Sequence, residues 1–275
     1  MNGSRQLEGA IRDHYDRLSA AYSALWGEHI HHGYWEDEEP PAAAQVKLVA
    51  RLAERAGIPR AARVLDVGCG LGGSALWLAR QLGCSVTGIT LSPVQVRLAT
   101  QRARAEQLAG RVRFLAMDAN QLDLGTESFE VVWVIECSEH LEDKARFIDA
   151  CARVLKPGGK LALCAWLAAD SASPEQARLV AEVCRGMLCP SLASREDYEG
   201  WMRAAGFADV AAEDITRQAA RTWDYCSAIV ERPAVRALRW LMDERTRAFV
   251  QAFAAIRRAY VEGAMAYGMF TGRRT

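Results

Sequence analysis

Residues Arg63 to Gly73 read R-V-L-D-V-G-C-G-L-G-G, and no other stretch constrains the fold as tightly. Val64, Leu65 and Val67 form a short apolar run of the kind that becomes a buried parallel strand, and the glycines at 68, 70, 72 and 73 then strip side chains from the turn. Backbone can pass close to a ligand there. Ser74 to Gln81 have helical character, so the turn opens on a helix N-terminus, where unpaired N–H groups and the dipole favour polar or anionic ligand atoms. A nucleotide-like cofactor is the expected occupant.

Two cofactor classes compete for this turn. Gly68, Gly70 and Gly73 satisfy G-x-G-x-x-G, a weak dinucleotide signal on its own. Asp66 discriminates between them: a carboxylate at the strand end opposes a pyrophosphate but accepts a hydrogen bond, direct or through water, from an ammonium group. D-x-G-x-G-x-G after a V-L strand resembles the first motif of class I S-adenosylmethionine (SAM) methyltransferases. The resemblance implies that Asp66, Gly68, Gly70 and Gly72 hold the aminoacyl half of SAM, with S-adenosylhomocysteine as product.

Composition narrows the partners. Lys+Arg and Asp+Glu both number 34, so the net charge is zero and nothing favours a nucleic acid; a small or neutral acceptor is expected. The eight cysteines contain no C-x-x-C pair, which argues against a zinc ribbon or cluster site, and most lie in apolar runs as reduced core residues. The N-terminus lacks an apolar signal core and no stretch is long enough to span a membrane, so a cytoplasmic location is expected.

Strands and helices alternate after the glycine turn, which implies a parallel sheet with right-handed crossovers. Strands are expected at Ser85–Ile89, Val112–Leu115, Phe129–Ile135, Lys160–Trp166, Asp209–Asp214 and Tyr267–Thr271, the last antiparallel, with Lys156–Gly159 as a turn. The fold class is α/β, the Rossmann-like seven-stranded class I methyltransferase sheet. Residues 1–42 are expected as a helical cap and loop, 43–215 as the core, 216–263 as a helical lid, and 264–275 as the final strand. The cap helix carries Ile11, Tyr15, Leu18, Tyr22, Leu25 and Trp26 at helical spacing, and the lid carries Trp223, Leu238, Trp240 and Leu241 among its apolar positions. The cap helix can pack on its own domain or on a second copy, leaving a homo-oligomer possible.

W-G-E-H-I-H-H-G-Y-W, residues 26–35, resembles the N-terminal segment of the gamma-tocopherol methyltransferase-like family, which extends to sterol, cyclopropane-lipid and terpenoid or alkaloid methyltransferases. The resemblance implies a cap that closes over the cofactor, with Tyr22, Tyr34 and Trp35 near its methionine end or the substrate, and Trp223 joins them from just after the sixth strand. Three histidines in this loop have no partner cluster elsewhere, so a metal site is not expected. T-L-S-P-V-Q follows the second strand where an acid usually meets the ribose; by the same resemblance Thr90 and Gln95 bond the ribose hydroxyls, while Ser92 reads as a helix cap. Asp118 and Ala119, past the third strand, are placed at the adenine.

E-C-S-E-H-L follows the central fourth strand, setting Glu136, Glu139 and His140 at the crevice. Glu136 is expected to touch the cofactor and to be catalytic, stabilising a cation or removing a proton, with His140 second. Methyl transfer from a sulfonium asks the protein mainly to align the reactants and exclude water. Carbon methylation of a prenyl or terpenoid alkene or an electron-rich ring, in specialised metabolism, is the leading expectation. The alternatives are N- or O-methylation of an alkaloid or phenol, a nicotinamide-dependent oxidoreductase, and a non-catalytic binding protein.

Overall fold

The computed structural model describes residues 2–25, 27–237 and 242–275; Trp26, Leu238, Trp240 and Leu241, and the side chain of Leu25, fall outside the described residues. The strands are β1 (Arg63–Val67), β2 (Ser85–Thr90), β3 (Val112–Ala116), β4 (Phe129–Ile135), β5 (Leu155–Ala168), β6 (Phe207–Asp214) and β7 (Met265–Arg274). They form one sheet in the order β3-β2-β1-β4-β5-β7-β6. β1 to β5 pair in parallel, and β7 runs antiparallel to both neighbours.

β1 lies between β2 and β4, with Asp66 in register with Gly88 on one side and Trp133 on the other. Its apolar residues are buried on both faces, which is why the run does not alternate. One face of the sheet is covered by α2 (Pro41–Ala56), α3 (Gly73–Leu82) and α4 (Pro93–Ala105) around Leu48, Leu76 and Trp133. The other face meets α5 (Lys144–Val154) and α7 (Arg195–Ala204) around Leu65, Ile148 and Tyr198.

β5 starts earlier than its apolar run suggests. Phe129 pairs with Leu155 and Val131 with Lys160, so Lys156–Gly159 is a register shift inside the strand rather than a turn before it.

Three segments gather over the carboxyl ends of the strands. α1 (Asn2–Leu25) packs against α4, and the loop after it is tied down by Tyr34 N–H on Ala44 O (2.8 Å) and Gln45 Nε2 on His29 O (2.9 Å). Between β6 and β7 come α8 (Thr216–Ala219), α9 (Thr222–Val230), α10 (Pro233–Ala237) and α11 (Glu244–Val261). α11 packs on α9 and on α6 (Pro174–Met187), forming a third apolar cluster with Met187, Trp223, Phe253 and Ile256. Among the described residues, no helix is long and apolar enough to cross a membrane.

Candidate active site

The glycine turn, the ends of β2, β3 and β4, α1 and the cap loop enclose one cavity. Asp66, Gly68, Gly70, Thr90, Gln95, Asp118, Ala119 and Glu136 all line it. Three of these carry a buried polar atom without a protein partner: Asp66 Oδ2, Gln95 Nε2 and Asp118 Oδ2. Such atoms are costly unless a ligand or water meets them.

The turn chemistry aims each atom. The Thr90 hydroxyl donates to Gln95 Oε1 at 2.6 Å, which fixes the amide and leaves its two N–H donors for a ligand oxygen. Ser92 caps α4 through Gln95 N–H (3.0 Å), as its position suggests, and also donates to Asp16 of α1. Asp118 Oδ1 takes Asn120 N–H and Nδ2, freeing Oδ2 to accept from an exocyclic amine. Burial raises the Asp66 carboxyl to about 7, only partly offset by the Ala75 backbone N–H. A cation beside it would reverse that shift. An acceptor for an ammonium, a donor for hydroxyls and an acceptor for an amine, along one cavity, fit the aminoacyl, ribose and adenine parts of SAM in that order.

A second cavity of about 250 Å³ lies behind the first, lined mainly by apolar and aromatic side chains of α1, α9, α11 and the segment after α6. Tyr22 and Trp223 line it. Tyr15, Ile30, His31, Glu136 and His140 belong to both cavities and form the wall between them.

Glu136 is held rigidly in that wall. Its Oε1 accepts from His32 N–H (2.7 Å), His32 Nδ1 (2.9 Å) and the Tyr267 hydroxyl (2.7 Å), and its side chain is 10% exposed. The Trp223 indole, which can only donate, reaches His32 Nε2 at 2.7 Å, so the His32 proton sits on Nδ1 facing Glu136. Burial pulls the Glu136 carboxyl up, but the His32 ring, His31 and the His32 backbone N–H outweigh it and hold the group down at about 2. The residue has φ +52°, a strained conformation for a side chain of this size that the three bonds over-determine.

His140 is arranged differently. Its Nδ1 lies 3.1 Å from the Leu188 carbonyl, which only accepts, so the proton is on Nδ1 and the Nε2 lone pair faces the wall. The Tyr15 hydroxyl stands 3.3 Å from that Nε2. Burial pushes His140 below its ordinary value, with the Leu188 bond opposing, while burial raises Tyr15. Glu139 lies deeper and lines only the second cavity.

Residues 65–163 match the family described as "Methyltransferase domain". The chain is 37% identical over 212 residues to the 27-O-demethylrifamycin SV methyltransferase of Amycolatopsis mediterranei, covering 76% of this chain and 77% of that protein. This chain is a class I SAM-dependent methyltransferase. The methyltransferase is also 29% identical to the chloroplastic tocopherol O-methyltransferase of Arabidopsis thaliana, over 79% of this chain and 68% of that one. Its fold matches the crystal structure of the [4+2]-cyclase SpnF with a TM-score of 0.80 and 28% identity, covering 96% and 94% of the two chains.

SAM, when bound, supplies a methyl group on a positively charged sulfur. The chain itself offers orphaned polar atoms in the first cavity, a largely apolar second cavity, and the wall residues that line both.

Three residues expected at the site stand apart from both cavities. Gly72 has φ +81° and an added Cβ would fall 2.7 Å from the Phe114 ring, so it serves turn geometry and packing on β3 rather than ligand contact. Trp35 stacks on Tyr225 at 4.6 Å and donates to Thr222 Oγ1, and Tyr34 packs against the core under α2. The Gly33 N–H also bonds Thr222 Oγ1, and both aromatics lie away from the wall.

The cap loop meets the turn through His29 instead: a Cβ at Gly73 would lie 2.6 Å from its Nδ1. The histidines of this loop bond through their rings to one another, to backbone, to Glu136 and to Trp223. Sequence reading missed Tyr15 and His31 as wall residues, and His32 and Tyr267 as the partners that hold Glu136. Tyr15 carried a packing signal only, and Tyr267 sits in a strand with nothing local to mark it.

Proposed function

We propose that this enzyme methylates a hydroxyl group on a bulky, largely apolar small molecule. The observation that carries the reading is His140, a neutral base with its tautomer fixed by Leu188 and its Nε2 lone pair set in the wall between the two cavities. Removing the proton of an alcohol as the methyl group arrives needs such a base. The Tyr15 hydroxyl marks where a donor to Nε2 sits, and an acceptor O–H takes that place or relays through it.

Glu136 is the weaker base. Three donors on one oxygen hold its proton affinity low, so it serves as a fixed negative charge beside the cationic sulfur and the incoming oxygen. This reverses the order in which the two residues were expected to act, and it favours oxygen over the carbon acceptor expected from the family resemblance. Names among the relatives span oxygen, nitrogen and carbon acceptors and do not choose between them. The apolar cavity supports a terpenoid-like or similarly hydrophobic skeleton in specialised metabolism.

The test uses SAM carrying a ¹³C methyl group and a panel of hydrophobic alcohols, amines and prenyl alkenes, with the product methyl read by NMR. A methyl on oxygen is expected. Transfer confined to carbon or nitrogen overturns the assignment.

A further inference from the structure

The acceptor cavity holds two buried polar atoms that the methyl-transfer reading does not use. Glu139 is 2% exposed; its Oε1 accepts the Trp166 backbone N–H at 2.6 Å, and its Oε2 has no partner. The Trp166 indole N–H is likewise buried and unpartnered. Both side chains line the acceptor cavity, and neither lines the cofactor cavity.

A buried carboxyl oxygen and an indole N–H left without partners are expensive in a folded protein. Apolar side chains, Met187, Cys189, Trp223 and Phe253 among them, make up much of the lining of the same cavity. Burial and the Glu136 charge raise the Glu139 carboxyl to about 8, with the Trp166 N–H and Lys144 opposing. Glu139 therefore carries its proton at neutral pH, and its O–H and the Trp166 N–H are two donors with no protein acceptor, on residues that line the cavity.

We infer that Glu139 and Trp166 form an oxygen-recognising subsite that selects acceptors carrying a hydrogen-bond-accepting group, a ketone or ester carbonyl, away from the hydroxyl that is methylated. The inference rests on the second cavity being the acceptor site. It deepens that reading by requiring two oxygens on the apolar skeleton, one to react and one to be read. A site built to hydrogen-bond an oxygen rejects the analogue that lacks it, because its own donors are then left unpaired.

The experiment measures binding without turnover. Cyclododecanone and methylenecyclododecane, matched in shape and differing only in C=O against C=CH₂, are titrated calorimetrically into full-length enzyme saturated with S-adenosylhomocysteine. The ketone is expected to bind about tenfold tighter, with its carbonyl stretch moved to lower wavenumber in infrared difference spectra. Glu139→Leu and Trp166→Phe are each expected to shrink both effects, and Glu139→Gln, which keeps an N–H donor, to retain most of the preference. Calorimetry with S-adenosylhomocysteine on each variant reports whether it is folded. Equal binding of the two probes by the wild-type enzyme, or a preference surviving both Glu139→Leu and Trp166→Phe in folded protein, overturns the subsite. Either result leaves the atom that receives the methyl group to be settled by the labelled-product test.

Discussion

Tyr15 and His140 lie 125 residues apart in the chain and meet at 3.3 Å, hydroxyl to Nε2, in the wall between the two cavities. The contact joins α1 to the turn after β4, so the segment that lines the first cavity also supplies a partner for the proposed base. His140→Gln is expected to lower kcat by about 10²–10⁴-fold, the usual range for a positioned base, with S-adenosylhomocysteine affinity nearly unchanged by calorimetry. Tyr15→Phe is expected to cost about tenfold, the worth of one hydrogen bond. Because burial pushes His140 below 6.5, the acid limb of the rate profile should lie below that pH and disappear in His140→Gln.

Asp66 is expected to make cofactor binding pH-dependent. Its carboxyl is raised to about 7 without a cation beside it, so below that pH it is protonated and does not pair with an ammonium. Affinity for S-adenosylhomocysteine should fall as pH drops from 8 to 6, by up to about tenfold per pH unit below 7. Asp66→Asn should bind more weakly at pH 8 and lose this slope; calorimetry at three pH values decides it. The same shift makes the native state hold a proton that the unfolded chain releases near 4, so Asp66 costs stability as pH rises from about 4 through 7. The Asn variant should flatten that part of the urea-midpoint profile.

Glu136 couples charge to structure. Glu136→Gln keeps an oxygen for its donors while removing the charge, so turnover is expected to fall by about 10²-fold or more while the fold and cofactor binding persist. Glu136→Ala leaves His32 and Tyr267 without their acceptor in a dry wall and should cost about 1–3 kcal/mol of stability. Unchanged turnover in the Gln variant removes Glu136 from the chemistry.

Gly72 reports on packing. Gly72→Ala meets both a positive φ and the Phe114 ring, and is expected to destabilise the protein by about 1–3 kcal/mol in urea unfolding. A cofactor affinity lowered tenfold in a variant of unchanged stability would return Gly72 to the binding site.

The sequence alone determined the fold class, the cofactor and, apart from Gly72, that the residues expected to hold it line one cavity. These features are local: a strand-end acid, a glycine turn and the residues just past β2, β3 and β4 are fixed by chain adjacency to strands whose apolar runs already set the sheet. The wall was decided by tertiary structure. His32, Tyr267, Tyr15 and Leu188 reach Glu136 and His140 from four distant segments, and which oxygen is saturated or which nitrogen bears the proton depends on those meetings. Tyr34 and Trp35 make the converse case. Their composition suited a pocket, but the tertiary fold stacks Trp35 on Tyr225 and packs Tyr34 on the core, where apolar neighbours remove the rings from water.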